Sequence, residues 1–144
     1  MDGTGATKMN FYRIHIADLS EHTLQPLGLF AAVWDMASVR KLTPSETRTN
    51  QDNRKWFEAN LPTPPCYADG NTQKAVTWYK NTEGGNSMCF SMAFYFDIAK
   101  KYSLQMYKSS TNEPPGTVIY EDEFQIAVVD HLKTGSLHTE KLIW

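Results

Sequence analysis

The stretch "TVIYEDEFQIAVVD", residues 117–130, limits the fold more than any other part of the chain. Most of its residues favour strands, yet Glu121, Asp122 and Glu123 stand in the middle. Side chains alternate between the faces of a strand. One straight strand would therefore place Asp122 on the same face as Val118, Tyr120, Phe124, Ile126 and Val128. A lone carboxylate buried in such a face costs several kcal/mol, so the chain is expected to bulge, to turn, or to meet a cation at Asp122. On the other parity Glu121 and Glu123 project together. They belong either to a solvated hairpin tip, whose charge discourages edge-to-edge pairing, or to the head of a strand that enters a cleft.

The rest of the chain supplies the material for a packed core. Of 144 residues, 41% are apolar and 12% aromatic, enough for one domain and too many for a disordered chain. The reading is a single globular domain over 9–144 behind a flexible, small and polar extension at 1–8. The 14 basic and 16 acidic residues are dispersed, which argues against a nucleic-acid or anionic-membrane surface. The longest apolar run, "GLFAAVW", falls well short of the roughly 20 residues that span a bilayer. Cys66 and Cys89 form no CxxC pair, so free thiols in a reducing, cytoplasmic setting are expected.

Along the chain, "MNFYRIHI" alternates as a first strand, and "ADLSEHTLQPLG" supplies turn residues. Leu27, Phe30, Ala31 and Trp34 then recur at helical spacing. "LTPSE" carries the firmest helix start: Thr43 as cap, Pro44 at the first helical position, Glu46 three residues after the cap. This second helix is expected to be largely exposed, anchored by Trp56, Phe57 and Leu61, with Asn60 closing it ahead of Pro62. "KAVTWYK" reads as a strand and "EGGNS" as a turn and cap. From Ser87 one apolar helix is expected through Met88, Met92, Tyr95, Phe96, Ala99 and Tyr102. "YSLQMYKSS" is strand-like and "TNEPPG" a loop. The expected class is α+β, with one mixed or mainly antiparallel sheet packed against two to three helices.

Few residues carry readable chemistry. His15, His22, His131 and His138 have no ligand spacing between them, and no metal site is expected. Cys66, in a proline-ordered loop, and Cys89, beside the apolar stripe, lack the context of a nucleophile. Tyr67, Trp78, Tyr79, Tyr107 and Tyr120 form a recognition surface if they border a concavity, and core if they do not.

Two resemblances add expectations. The blocks "GLFAAVWD", "WFEANLPTPP", "KAVTWYK" and "PGTVIYEDEFQ" are similar to those of small single-domain proteins of unassigned activity, which implies a self-standing domain and no mechanism. The Tyr12-Arg13 step in "FYRIHI", with Glu121-x-Glu123 in "YEDEFQ", resembles the pattern of arginine-type ADP-ribosyltransferases. That resemblance implies that Arg13 holds the phosphate or ribose part of NAD and that Glu123 stabilises a cationic ribosyl transition state while Glu121 orients the acceptor. It also implies that Tyr79 or Tyr120 stacks on nicotinamide. The family's middle Ser-Thr-Ser element is absent here, Thr77 alone standing on a strand near its place. Sequence thus offers two functions. The first is a domain that binds a protein or small molecule without evident cofactor or catalytic machinery; the second is an NAD-dependent transferase built on Arg13, Glu121 and Glu123.

Overall fold

A computed structural model describes residues 9–130 and 137–142; the extension expected at 1–8 and the candidate His131 lie outside the described residues. Among the described residues seven strands form one antiparallel sheet: β1 Phe11–Leu19, β2 Pro26–Gly28, β3 Val76–Lys80, β4 Tyr107–Thr111, β5 Thr117–Glu121, β6 Gln125–Val129 and β7 His138–Lys141. Their order is β5-β6-β3-β1-β4-β7, with β2 pairing on β1. Four helices accompany them: α1 Leu29–Ser38, α2 Pro44–Asn60, α3 Glu83–Phe90 and α4 Ala93–Lys101. The class is α+β.

Alternation along β1 sends Tyr12, Ile14 and Ile16 to one face and Phe11, Arg13 and His15 to the other. Ile14 joins Leu29, Val33, Met36, Phe57, Met92, Tyr95 and Ile98 in a core shared with the helices. Phe30 crosses Phe57 edge-on at 4.7 Å and lies tilted against Tyr95 at 4.5 Å, so rings from α1, α2 and α4 meet at one junction.

The opposite face holds a second cluster, Phe11, Val76, Trp78, Ile126 and Val128, with no helix residue in it. β4 and β5 stand four strand spacings apart in the sheet order, roughly 19 Å if the sheet were flat. The antiparallel pairings make β4 and β5 run the same way, so the chain must also return about five residues along the strands, roughly 16 Å. The resulting diagonal of about 25 Å exceeds the roughly 20–22 Å that six Cα steps span. The sheet must therefore curl for residues 112–116 to span it. Thr111 Oγ1 donates to the Glu113 carbonyl at 2.8 Å, and Pro115 is buried.

The helix boundaries show which local signals prevailed. The expected box opens α2: Thr43 Oγ1 accepts from Glu46 N–H at 3.1 Å while Glu46 Oε1 accepts from Thr43 N–H at 2.8 Å. Glu46 also accepts from Lys101 Nζ at 2.6 Å and from Tyr102 O–H at 2.5 Å, which ties the start of α2 to the end of α4. Asn60 does not close α2 in the left-handed region. It remains helical, and Leu61 turns extended (φ −110°, ψ 116°) because Pro62 disfavours helical backbone before it.

The single helix expected from Ser87 is two. α3 begins earlier, at Glu83, where Thr82 Oγ1 accepts from Gly85 N–H at 3.1 Å. Glycine is required at 85, since a Cβ there would overlap the Lys80 carbonyl oxygen. The break at Ser91 and Met92 (ψ −5° and 16°) follows a back-bond from Ser91 Oγ to the Ser87 carbonyl at 3.1 Å.

Candidate functional site

A notch in the sheet sets the site. One edge of β1 pairs with β4 from Phe11 to His15; the other pairs with β3 at Phe11 and Tyr12 and with β2 at His15 and Leu19. β3 and β2 thus part company beside Arg13 and Ile14. Had the β1–β3 ladder continued, Thr77 would face Ile14; instead the strands splay, and a cleft of about 600 Å³ opens between them. Its floor includes Arg13 and Ile14. One wall is Val76, Thr77 and Tyr79 of β3, the other runs from Pro26 on β2 to Ala31 on α1, and Phe57 to Pro64 with Tyr67 close it above.

The walls are held by hydrogen bonds the sequence did not announce. Asn71, buried and at φ 55°, accepts from Ala75 N–H at 2.8 Å and donates through Nδ2 to the Ala75 carbonyl at 2.9 Å. Asparagine tolerates this left-handed backbone better than most residues. Its own carbonyl accepts from His22 Nε2 at 2.6 Å, so one residue clasps the loop after α2 to β3 and to the β1–β2 turn. Tyr67 and Thr77 hydroxyls bond at 2.7 Å, and burial raises the Tyr67 phenol above its usual range. The Tyr79 hydroxyl donates to Met92 Sδ at 2.9 Å, and burial raises its phenol far more.

Arg13 is the charged group of the floor. Its guanidinium lies 3.4 Å from where a Cβ on Gly28 would stand and 5.9 Å from the ring of Trp78. Among the described residues it has no ion pair and no side-chain hydrogen bond. Burial pushes its pKa down to about 10, which leaves it charged at neutral pH. Arg54 lies at the rim, 3.1 Å from Glu58 and stacked over Trp34 at 4.2 Å.

Of the residues singled out from sequence, Arg13, Thr77 and Tyr79 line this one cleft, and Tyr67 joins them. Glu121, Glu123 and Tyr120 do not. They belong to the β5–β6 hairpin, which β3 separates from β1. Its tip answers the question posed by Asp122. The register slips between Val118 and Tyr120, and the chain turns at Asp122, whose carboxylate stays half-buried and fully engaged. Oδ1 accepts from Phe124 N–H at 2.7 Å and Gln125 N–H at 3.1 Å; Oδ2 accepts from Tyr120 O–H at 2.8 Å and Gln125 Nε2 at 3.0 Å. Glu121 pairs with Lys80 at 2.5 Å, and Glu123 is exposed. Gln125 Nε2 also donates to the Pro62 carbonyl at 2.7 Å, so β6 reaches the cleft through Gln125, which lines it together with Pro62.

The remaining candidates fall elsewhere. Trp78 is buried in the sheet cluster and so offers no binding face. Tyr107 stacks on His15 at 5.9 Å, on the face away from the helices. His15 itself is buried. Its Nδ1–H donates to the Ile16 carbonyl at 2.9 Å, which leaves Nε2 to accept from Ser109 Oγ at 2.7 Å. Cys89 packs against the main core, where burial raises its thiol pKa, and Cys66 is half-buried. Among the described residues no three of His, Cys, Asp and Glu gather as metal ligands, and no helix is long and apolar enough to cross a membrane. Sequence missed the cleft because the residues that part the strands, Pro26 to Gly28, read as a turn; the proline-ordered loop 62–67 was the one local signal of a fixed wall. No protein-family model matches the chain, and neither a curated protein nor a solved structure does.

Proposed function

We propose that this domain binds a small molecule in the cleft between β2 and β3. The observation that carries the reading is the cleft itself: about 600 Å³, walled by Leu27, Phe30, Phe57, Leu61 and Met92, with a few polar groups converging on its floor. That volume lies within the roughly 300–1,000 Å³ of ordinary ligand sites, and apolar walls with sparse polar groups are their usual make-up. Transfer from NAD has less to rest on. Glu58 is the cleft's lining acid and is engaged by Arg54, whereas Glu121 and Glu123 stand outside the lining.

A thermal-shift screen of small molecules on the purified chain tests the reading, repeated on Ala31→Trp. Ala31 is exposed on α1 at the rim, so an indole there narrows the mouth without touching the core. Hits that stabilise the wild type and not Ala31→Trp are expected. Hits equally effective on both, or none across a chemically broad set, would overturn it.

A further inference from the structure

We propose that the ligand carries an anionic head, a carboxylate or a phosphate, on an apolar body, and that Arg13 receives the head on the floor of the cleft. The inference rests on the ligand-binding reading above and adds the chemical class to it.

The charges of the lining lead to it. Arg13, Arg54 and Glu58 are its formally charged side chains, and Glu58 Oε1 already accepts from Arg54 Nε at 3.1 Å on the exposed surface of α2. This leaves Arg13 with no acid. Arg13 is half-buried, and a cation partly withdrawn from water gives up hydration that an opposite charge would compensate. Trp78, whose ring lies 5.9 Å from the guanidinium, is buried in the sheet cluster outside the lining and supplies no acceptor either. Among the described residues the lining therefore offers Arg13 no counter-charge. A guanidinium presents a planar fork that fits two oxygens of a carboxylate or phosphate at once. The lining of the cleft also includes the apolar side chains of Leu27, Phe30, Leu61 and Met92. A bare ion would leave those walls wet, and a wholly apolar molecule would leave Arg13 unanswered.

The test compares probes that differ only at the head. Decanoate, decyl phosphate and decan-1-ol, each below its micellar concentration, are titrated calorimetrically into the wild type, Arg13→Met and Arg13→Lys, with acetate as a head without a body. In the wild type at least one anionic probe is expected to bind about tenfold or more tighter than the alcohol, the ratio expected for one charge-assisted contact. The better of the two anions names the head. Arg13→Met is expected to lose that ratio while still binding the alcohol, and Arg13→Lys to keep part of it. Acetate is expected to bind far more weakly than decanoate. Equal binding of acid and alcohol by the wild type, or an unchanged ratio in Arg13→Met, would overturn the proposal and leave the cleft a neutral apolar site. Binding by none of the probes, with the thermal-shift screen also empty, would remove the ligand-binding reading together with this one. Should Arg13→Met fail to fold, the wild-type ratio and its fall in Arg13→Lys decide.

Discussion

Replacing Asp122 with alanine removes the acceptor around which the β5–β6 hairpin turns. Four donors lose their partner: Phe124 N–H, Gln125 N–H, Tyr120 O–H and Gln125 Nε2. They do not lose equally. Tyr120 and Phe124 are only half-buried and can turn to water, and Gln125 Nε2 retains the Pro62 carbonyl at 2.7 Å. Gln125 is 2% exposed, so its backbone N–H stays orphaned. One buried unmatched donor costs about 1–3 kcal/mol, and losing a side-chain cap over neighbouring N–H groups about 1 kcal/mol more. Allowing for overlap between the two, the expected loss is about 2–3 kcal/mol. For a domain of this size that corresponds to a fall of about 6–12 °C in Tm. Urea unfolding followed by tryptophan fluorescence should show a lower midpoint with an unchanged slope, because the hairpin stays folded and the surface exposed on unfolding is the same. Asp122→Asn keeps the Oδ1 acceptor for both backbone donors but turns an amide against Gln125 Nε2, so about half the loss is expected. A loss below about 0.5 kcal/mol in Asp122→Ala would refute the account of the turn. Asn and Ala variants losing equally would show that charge matters there and turn geometry does not.

Other consequences follow from single residues. Burial holds His15 below its ordinary value of 6.5, so the unfolded chain takes up the proton first. Stability is then full above about pH 6.5 and declines as the pH falls beneath it; the decline should be smaller in His15→Gln, measured by urea midpoints from pH 8 to pH 5. Hydrogen bonds from Lys101, then Tyr102, then Thr43 hold the Glu46 carboxyl at about 2 against an ordinary 4.5. Its contribution is therefore present above pH 4.5 and lost as the pH falls towards 2, and Glu46→Gln should flatten the acid limb of the stability profile in that window. Asn71→Ala leaves the Ala75 N–H and carbonyl unmatched and puts alanine at φ 55°, so a loss of about 2–4 kcal/mol is expected. Hydrogen exchange should locate that loss around residues 71–77, and uniform exchange across the sheet would contradict it.

Local chemistry was readable where it acts within a few residues. The Thr43, Pro44 and Glu46 signature located the start of α2, and the parity of "YEDEFQ" called for a bulge, a turn or a cation at Asp122, where the chain turns. The Glu46 contacts to Lys101 and Tyr102 were not readable, since they join residues 55 and 56 positions apart. The same distance problem hid the site. Arg13, Thr77 and Tyr79 were picked out individually, but the cleft that unites them exists because three residues, Pro26 to Gly28, take the edge of β1 that β3 would otherwise hold. Apolar periodicity carried through Ser91 and Met92 and so concealed the break between α3 and α4. Trp78 read as a recognition surface if it bordered a concavity and as core if it did not, and its packing with Val76, Ile126 and Val128 makes it core.

The curl of the sheet has a further consequence. Residues 112–116 are a tether of fixed length between strands at different places in the sheet order, so their number sets how tightly the sheet can bend. Two or three glycines inserted there would let the sheet relax outwards and admit water to Trp78, whose emission would shift to the red. The notch beside Arg13, bounded on its other side by helices, would keep its shape. Curvature and ligand site are thus separable by engineering: the first answers to the length of one short connector, the second to the strand that stops beside β1.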